Sequence, residues 1–307
     1  MAATVVNENE KPITEPRTSL LTFLAFLTIY VVWGSTFVAI RIAVQQVPPL
    51  FAASVRFLVA GTALYFYLRL RGVQRPTSAE WQNLTLLALL MFVLDYSAVF
   101  WGEKYIPSGV TSLIIATVPL TTILFEVFVF RLQAFQWPLL FAILLGFGGV
   151  SIVMLQGNGQ QLSIGSCLII FGGSVSWAIG SVLTRSLRLP ESKMLTAGAE
   201  MLIGGAVLLL LSACVGELHP FPRISPSAAA ALVYLIVFGS LLGFSAYMWL
   251  LAHMPATRVA SHAYVNPIVA VALGYFIAGE VITWKTVLGA ALVLASVAVT
   301  LRKKSPV

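Results

Sequence analysis

Ten apolar segments, each about as long as a membrane-spanning helix, follow one another along the chain and are joined by short connections. Only 9% of the 307 residues are charged, whereas soluble domains usually carry about 25%. A transmembrane β-barrel would instead show short segments of alternating hydrophobicity. The sequence therefore predicts an all-α, polytopic protein that lies in a lipid bilayer. The predicted spans are 20–44, 49–69, 81–102, 108–130, 137–155, 163–186, 195–215, 227–251, 256–278 and 284–301.

The distribution of basic residues predicts the orientation of the chain. With the N-terminus placed inside, 13 of the 18 Lys and Arg residues fall in inner connections and four in outer ones. Because cytoplasmic loops of membrane proteins concentrate Lys and Arg, this bias predicts a bacterial inner-membrane protein with both termini in the cytoplasm. It also accounts for the net charge of +7 without a nucleic-acid partner. Residues 1–19 are predicted to form a disordered cytoplasmic tail, and residues 302–307 a basic one.

An internal repeat is the most informative feature of the sequence. Matching residues recur at a spacing of 144 in the earlier part of each half and 148 in the later part. The halves, 20–155 and 163–301, hold five predicted spans each, so the second copy must enter the membrane from the opposite side. Inverted repeats are typical of transporters that work by alternating access around a site near the bilayer midplane. The matching pairs include Trp33 with Trp177, Arg56 with Glu200, Gly61 with Gly205, Trp101 with Trp249 and Pro119 with Pro267.

Short motifs spread over both halves carry a resemblance to a known family. In the first half they are Trp33-Gly34-Ser35-Thr36, Arg56-Phe57 followed by Ala60-Gly61, and Ile106-Pro107-Ser108-Gly109. In the second half they are Gly173-Ser174-Val175-Ser176-Trp177-Ala178, Glu200-Met201-Leu202, and Val265-Asn266-Pro267 with Gly279-Glu280. In this order and spacing they resemble the EamA-type transporters of the drug/metabolite transporter superfamily. The resemblance implies ten helices in two inverted five-helix repeats around a central cavity, and often the export of amino acids or other metabolites.

One element of this pattern is not duplicated. Gly279-Glu280 follows the ninth predicted span, whereas Phe130-Arg131 stands near the matching place in the first half. Any role of Glu280 therefore belongs to one half of the protein only.

Polar and aromatic side chains deep in the predicted spans are candidates for substrate contact, because such groups are costly in a bilayer. Trp33 and Trp177 each lie roughly 20 Å into their spans. There they can line the cavity and stack on an aromatic or cationic substrate, with helix packing as the alternative. Asp95, beside Tyr96, can bind a proton or a substrate ammonium, or can be a buried acid satisfied by neighbouring hydroxyls. Asn266 offers an amide that both donates and accepts hydrogen bonds.

Three ionisable residues are candidates for coupling or gating. Arg56 and Glu200 are repeat-related and opposite in charge, but their predicted depths place them too far apart for an ion pair. Each is therefore expected to face a local vestibule or partner, with direct substrate contact as the alternative. His262 lies one turn before Asn266 on the same helix face and can carry a proton near neutral pH, or can be a hydrogen-bonded structural residue. Proton coupling is thus a hypothesis, with facilitated diffusion as its alternative.

Two prolines inside apolar segments predict helix breaks at repeat-related positions. Pro119 follows Thr117 closely, and Pro267 follows Asn266 directly. Each proline removes a backbone donor, which a bilayer tolerates only beside protein partners or a water-filled cavity. For this reason Thr117 is also a candidate for substrate contact.

The predicted function is secondary or facilitative transport, directed outward, of a small polar or amphipathic metabolite. The sequence contains no phosphate-binding loop, no catalytic motif and no cluster with metal-ligand spacing, so we expect no cofactor, no metal ion and no enzymatic activity. An exchanger of nucleotide sugars or phosphorylated metabolites is one alternative, but it would need several cations in the cavity, and only Arg56 lies deep within a predicted span. A non-transporting membrane scaffold is the alternative of another class. The oligomeric state stays open.

Overall fold

The computed structural model describes residues 16–132, 134–155, 163–220, 224–254, 259 and 261–301. Within these residues the chain forms helices and turns and no strand. Eight helices are long and apolar enough to span a membrane, and two more, near the C-terminus, are shorter apolar helices. The predicted all-α architecture of ten helices is confirmed.

The helices are labelled α1 to α10 in chain order, and four of them contain a π-helical segment. α1 comprises Pro16–Leu27, the π-helical Thr28–Val32 and Trp33–Val44, and α2 is Pro49–Leu70. α3 comprises Ser78–Leu87, the π-helical Ala88–Leu94 and Asp95–Gly102. α4 comprises Ser108–Ile115, Val118–Leu124 and the π-helical Phe125–Val129, and α5 is Trp137–Met154. α6 is Ile164–Leu183, and α7 is Lys193–Cys214. α8 comprises Pro226–Tyr234, the π-helical Leu235–Leu242 and Gly243–His253, α9 is His262–Ala278, and α10 is Trp284–Leu301.

Where both ends of a helix are described, the predicted span boundaries lie close to the observed ones, with two informative differences. α1 begins at Pro16, so residues 16–19 are helical and do not belong to a disordered tail; residues 1–15 and the predicted tail 302–307 lie outside the described residues. α3 begins at Ser78, three residues before the prediction, because Thr77 and Glu80 form a capping box. The Glu80 amide donates to Thr77 Oγ1 at 3.3 Å, and the Thr77 amide donates to Glu80 Oε2 at 2.7 Å.

Two of the π-helical segments lie at repeat-related positions. Ala88–Leu94 in α3 and Leu235–Leu242 in α8 match at the spacing of 148 that the sequence shows. A π-helical turn shifts the backbone hydrogen bonds of a helix, and such turns are frequent at functional sites. The repeat is therefore visible in a local backbone feature as well as in matching residues.

α2 and α7 contact each other through matching residues of the two halves. A methyl group added at Gly61 would lie 2.3 Å from the amide nitrogen of Leu202, and one added at Gly205 would lie 2.4 Å from that of Leu58. Gly61 and Gly205 are 144 residues apart in the sequence, as are Leu58 and Leu202. The contact is therefore the same on both sides of a pseudo-two-fold axis, as an inverted repeat requires.

α5 and α10, the last helices of the two halves, also approach each other through glycines, although Gly149 and Gly289 are not repeat-related. A methyl group added at Gly149 would lie 2.8 Å from the carbonyl oxygen of Gly289, and one added at Gly289 would lie 2.6 Å from that of Gly149. Small residues allow helix backbones to approach closely inside a membrane, where packing drives helix association. These two glycine contacts join the halves around the axis.

We expect Gly61→Ala and Gly205→Ala to destabilise the protein by similar amounts, about 1–3 kcal/mol each, because either methyl group would meet the backbone of the opposite helix. Thermal unfolding in detergent measures this. Gly172→Ala is the matched control, because an added methyl group there has no atom within 4 Å. An unfolding temperature for Gly61→Ala equal to that of the control would contradict the close contact of α2 and α7.

Candidate functional site

Trp33 lies in an aromatic cluster built by α1, α8 and α9. Its ring centroid is 5.5 Å from that of Phe244 and 5.1 Å from those of Tyr247 and His262. The indole Nε1 donates a hydrogen bond to the carbonyl oxygen of Gly239 at 3.1 Å. Trp33, Tyr247 and His262 are nevertheless partly exposed. The cluster therefore has a face that the described side chains do not cover.

Two glycines of α8 allow side chains of neighbouring helices to approach closely. A methyl group added at Gly243 would lie 2.3 Å from Trp33 Nε1, and one added at Gly239 would lie 2.9 Å from Thr36 Cγ2. Gly239 belongs to the π-helical segment of α8, where shifted backbone hydrogen bonds leave a carbonyl group for an outside donor. Gly243 thus accommodates the indole of Trp33, and Gly239 accommodates the side chain of Thr36.

Tyr96 and Trp177 belong to a second aromatic cluster between α2, α3 and α6. The Tyr96 ring centroid is 4.5 Å from that of Phe57, 6.0 Å from that of Phe92 and 6.1 Å from that of Trp177. Tyr96 and Trp177 are partly exposed, like Trp33, although Phe57 and Phe92 are buried.

Phe92 joins the two clusters, since its ring centroid lies 6.2 Å from that of Trp177 and 6.2 Å from that of Phe244. α6 also bonds to α3 much as α1 bonds to α8. The hydroxyl of Ser176 donates to the carbonyl oxygen of Leu90 at 2.8 Å, inside the π-helical segment of α3. Each half therefore donates a hydrogen bond to a π-helical carbonyl group of the other half, and the aromatic network lies between them.

Arg56 is almost completely buried, with 2% of its surface exposed, yet it has no carboxylate partner among the described residues. Its Nε donates to Ser240 Oγ at 3.0 Å. Its guanidinium carbon lies 4.8 Å from the ring centroid of Phe57 and 5.1 Å from that of Tyr96. Its Nη1 has no hydrogen-bond partner in the described part of the chain. Arg56 and Glu200 form no ion pair, and the Arg56 side chain instead contacts Ser240, Phe57 and Tyr96.

Asp95 and Glu200 are buried carboxyl groups on α3 and α7. Asp95 is 5% exposed, and its Oδ1 has no hydrogen-bond partner among the described residues. Its backbone packs against Gly173 of α6, where an added methyl group would lie 3.1 Å from Asp95 Cα. Glu200 is 7% exposed and forms no ion pair with a described residue. Because an unpaired buried carboxylate is costly, this setting favours a proton or a cationic group at Asp95.

Asn266 ties α9 to α1. With its amide nitrogen turned towards α1, it donates to the carbonyl oxygens of Ile29 at 3.1 Å and Tyr30 at 3.2 Å, and to that of His262 at 3.1 Å. The opposite orientation would point the amide oxygen at these three acceptors. Ile29 and Tyr30 lie in the π-helical segment of α1, where backbone carbonyl groups are displaced from their helical partners. Asn266 thus has a structural role that the sequence did not predict, and its contact with a substrate stays a prediction.

The predicted helix breaks at Pro119 and Pro267 have different outcomes. α4 is interrupted at Ala116 and Thr117, just before Pro119, and Thr117 is fully buried there. α9 instead runs without interruption over His262–Ala278 and through Pro267, so the predicted break in α9 is wrong. Pro267 is the sixth residue of α9, past its first turn, so the helix continues there without the backbone hydrogen bond that residue 267 would donate to Ala263.

A group of polar contacts closes one end of the bundle, which we call the Glu280 end; it carries the connections α1–α2, α3–α4 and α9–α10. Glu280 Oε1 accepts hydrogen bonds from the Ser108 amide at 2.6 Å and from Ser108 Oγ at 2.8 Å, and Oε2 accepts from the Gly109 amide at 3.1 Å. Arg41 Nη1 donates to the carbonyl oxygens of Glu103 and Ile106. α9, α4, α1 and the end of α3 are therefore held together here.

Glu103 lies at the Glu280 end, directly after α3, and is completely buried. Neither carboxyl oxygen has a hydrogen-bond partner among the described residues. Burial raises the pKa of the Glu103 carboxyl well above its usual range; the charge of Glu280 raises it further, and Arg41 and Arg56 oppose this shift. The sequence did not single out Glu103, because a carboxylate between two predicted spans is normally solvated.

The family model described as the EamA-like transporter family matches residues 20–155 and 164–302, which is most of the chain. The chain belongs to the EamA-like transporter family. It is accordingly a multi-pass membrane transporter that has a lipid environment and a small-molecule substrate. The resemblance inferred from the short motifs is confirmed.

Individual relatives of this EamA-like chain are transporters by name. It is 38% identical over 288 residues to the Escherichia coli K12 protein described as "Uncharacterized inner membrane transporter YedA", covering 92% of this chain and 91% of the relative. It is 28% identical over 290 residues to the Salmonella typhimurium protein described as "Probable amino-acid metabolite efflux pump", covering 89% and 92%. One solved crystal structure shares the fold with a TM-score of 0.63 at 19% identity, covering 94% of this chain and 98% of that one.

Proposed function

We propose that this EamA-like protein is a secondary or facilitative transporter that exports a small metabolite, such as an amino acid or an amphipathic drug-like compound, by alternating access. The observation that carries the proposal is the partly exposed aromatic network between the halves, which links Trp33 to Trp177 beside the incompletely bonded Arg56. The relative described as an amino-acid metabolite efflux pump supports this class of substrate.

The proposed substrate site combines aromatic walls with two polar atoms that lack a hydrogen-bond partner among the described residues. Trp33, Tyr96 and Trp177 stack on the apolar or cationic part of the substrate. Arg56 Nη1 is available to an acidic group, and Asp95 Oδ1 to a basic one. Thr117 lies at the interruption of α4, where a change in helix geometry accompanies the exchange between open states.

Asn266 positions α9, and Glu200 and His262 are the proposed sites of proton coupling. The protein is proposed to lie in the bacterial inner membrane with both termini in the cytoplasm, as the distribution of Lys and Arg indicates. It is proposed to catalyse no chemical reaction, in keeping with relatives that are named as transporters. An exchanger of phosphorylated substrates is less well supported, because Arg56 is the single buried Lys or Arg among the described residues.

Transport by purified protein in liposomes tests the aromatic site. We expect Trp33→Ala and Trp177→Ala each to lower the transport rate by about 10-fold or more, since stacking on an aromatic ring contributes about 0.5–1.5 kcal/mol beyond the area buried. The substrate is identified first, by an efflux screen over amino acids and related metabolites in cells that overexpress the protein. Trp137→Ala is the matched control, because Trp137 is 75% exposed on the outside of the bundle.

The amount of folded protein in the liposomes is measured for each variant, so that a loss of folding is not scored as a loss of transport. Wild-type transport rates in both Trp33→Ala and Trp177→Ala would show that the aromatic network is packing and that the substrate passes elsewhere. Absence of efflux for every compound of the screen would favour the scaffold.

A further inference from the structure

The Glu280 contact joins the two halves of the protein at one end. Glu280 directly follows α9, where Gly279 adopts a left-handed conformation with φ of 64° and the Glu280 amide donates to the Gly274 carbonyl oxygen at 3.0 Å. This turn directs the carboxylate onto the first residues of α4, where Ser108 and Gly109 donate three hydrogen bonds to it. A carboxylate at a helix N-terminus is favoured by the helix dipole as well as by these bonds.

The repeat-related turn at the opposite end has the same backbone but a different side chain. Arg131, which matches Gly279 at the spacing of 148, also has a left-handed conformation, with φ of 53°. Leu132, which matches Glu280, donates its amide to the Glu126 carbonyl oxygen at 2.6 Å, as Glu280 does to Gly274. The leucine side chain is 58% exposed and cannot accept a hydrogen bond. The contact of the Glu280 carboxylate with the start of α4 therefore has no equivalent at the repeat-related position.

Glu103 supplies a second independent observation at the Glu280 end. It is fully buried, both of its carboxyl oxygens lack a partner among the described residues, and it is close enough to Glu280 for their charges to interact. The charged groups that act on it electrostatically are Glu280 from the α9–α10 connection, Arg41 from α1 and Arg56 from α2. Arg41 uses its Nη1 on the carbonyl oxygens of Glu103 and Ile106 and not on the carboxyl group.

We infer that Glu103 and Glu280 form a proton-operated gate: Glu280 latches α4 to α9, and a proton bound by Glu103 keeps that latch closed. The inference deepens the proposed function, because it rests on alternating access and names a regulator of it. When Glu103 releases its proton to water, a second carboxylate stands beside Glu280, and their repulsion weakens the hold of Glu280 on Ser108 and Gly109.

The direction of the pH effect follows from the burial of Glu103. The closed state raises the pKa of this carboxyl, so the closed state is favoured at low pH and loses its advantage as the pH rises through that raised value. An open state, in which water reaches Glu103, holds the proton less tightly. Raising the pH at the Glu280 end therefore opens the gate. The charge bias of the sequence predicts that this end faces outward.

Access to a cysteine placed behind the latch tests the gate without any substrate. Val110 is 3% exposed and lines a small cleft beside Glu280. Val110→Cys is made in a Cys167→Ala, Cys214→Ala background and is labelled with a membrane-impermeant maleimide. At each pH its labelling rate is divided by that of Ser227→Cys, which is exposed at the same end, so that the pH dependence of thiol reactivity cancels.

The normalised rate is expected to rise by about 10-fold or more from mildly acidic to alkaline pH. Glu280→Gln is expected to raise it by roughly 10–100-fold at every pH, because the charge-assisted hydrogen bonds are lost. Glu103→Gln, which imitates the protonated carboxyl, is expected to give slow labelling that does not change with pH. Leu132→Ala, at the repeat-related position, is expected to label as the parent does.

Two results would overturn the gate: a Glu103→Gln protein that keeps the pH dependence of the parent, or a Glu280→Gln protein that labels as slowly as the parent. If Glu280→Gln does not fold, Ser108→Ala replaces it, since it removes one of the three donors and is expected to raise labelling by about 3–10-fold. If labelling does not change with pH or in the Glu280 and Glu103 variants while transport still depends on Trp33 and Trp177, the gate is rejected and the proposed transport site is not. Conversely, if Trp33→Ala and Trp177→Ala transport at the wild-type rate, the labelling rate still measures how pH shifts the equilibrium between the closed and open states.

Discussion

Arg56→Met is expected to lower transport by about 10–100-fold while the folded protein stays at least as stable as the wild type. The two effects separate because Arg56 is a buried charge with no carboxylate partner among the described residues and with Nη1 unbonded. Replacing a buried, poorly compensated charge by an apolar side chain of similar volume is often neutral or stabilising. A charge-assisted hydrogen bond to a substrate contributes up to about 3 kcal/mol, which corresponds to about 100-fold.

Transport in liposomes and thermal unfolding in detergent measure the two effects on the same preparation. Arg71→Met is the control, since Arg71 is exposed and also stacks on an aromatic ring, that of Tyr67, at 5.4 Å. Arg56→Lys is expected to fall between the wild type and Arg56→Met, because an ammonium keeps the charge but not the planar donor geometry. If Arg56→Met unfolds at a markedly lower temperature, Arg56 is a structural residue held by Ser240, Phe57 and Tyr96.

Asn266→Asp is expected to destabilise the protein by about 3 kcal/mol or more at neutral pH. The substitution keeps the shape of the side chain but replaces two N–H donors by a carboxylate that would face the carbonyl oxygens of Ile29, Tyr30 and His262. Repulsion between these oxygens pushes α9 away from the π-helical segment of α1. Acidic pH protonates the new carboxyl and restores one donor, so part of the lost stability is expected to return.

Thermal unfolding of Asn266→Asp at neutral and acidic pH measures this, with the wild type followed under the same conditions. Asn83→Asp is the matched control: the Asn83 side chain donates to the Arg188 carbonyl oxygen at 2.9 Å, but at an exposed position, where the loss is expected to stay below about 1 kcal/mol. Equal stability of Asn266→Asp and wild type at neutral pH would mean that the amide nitrogen of Asn266 does not face α1.

The helices and their number could be predicted from the sequence, because apolar length alone determines whether a segment can span a bilayer. The repeat could also be predicted, since Gly61 and Gly205 stand 144 residues apart. In the structure Gly61 packs against α7 and Gly205 packs against α2. The π-helical segments could not be predicted from the sequence. In α8 and α3 these segments accept hydrogen bonds on a backbone carbonyl group from Trp33 and Ser176 of other helices. No residue pattern within one helix predicts such a partner.

The candidate site was predictable as a set of residue types but not as a set of contacts. The sequence placed Trp33, Tyr96 and Trp177 at depth, yet only the structure shows that Phe92 and Phe244 join them. For Asn266 the sequence predicts a substrate contact, which stays a prediction, and the structure adds hydrogen bonds to carbonyl groups of α1 that the sequence does not predict. Local sequence cannot distinguish these roles, because each depends on partners in other helices, as between Phe92 and Phe244 or between Asn266 and Ile29.

The glycine contact between α2 and α7 makes the two halves meet through surfaces that do not distinguish one half from the other. This symmetric arrangement of helices does not by itself favour either direction of transport. A preferred direction must then come from positions where the halves carry different chemistry, such as Arg56 against Glu200, Asp95 against Gly243, and Glu280 against Leu132. We therefore expect the direction of transport to depend on such side chains, and exchanging residues at these pairs is the direct way to test this.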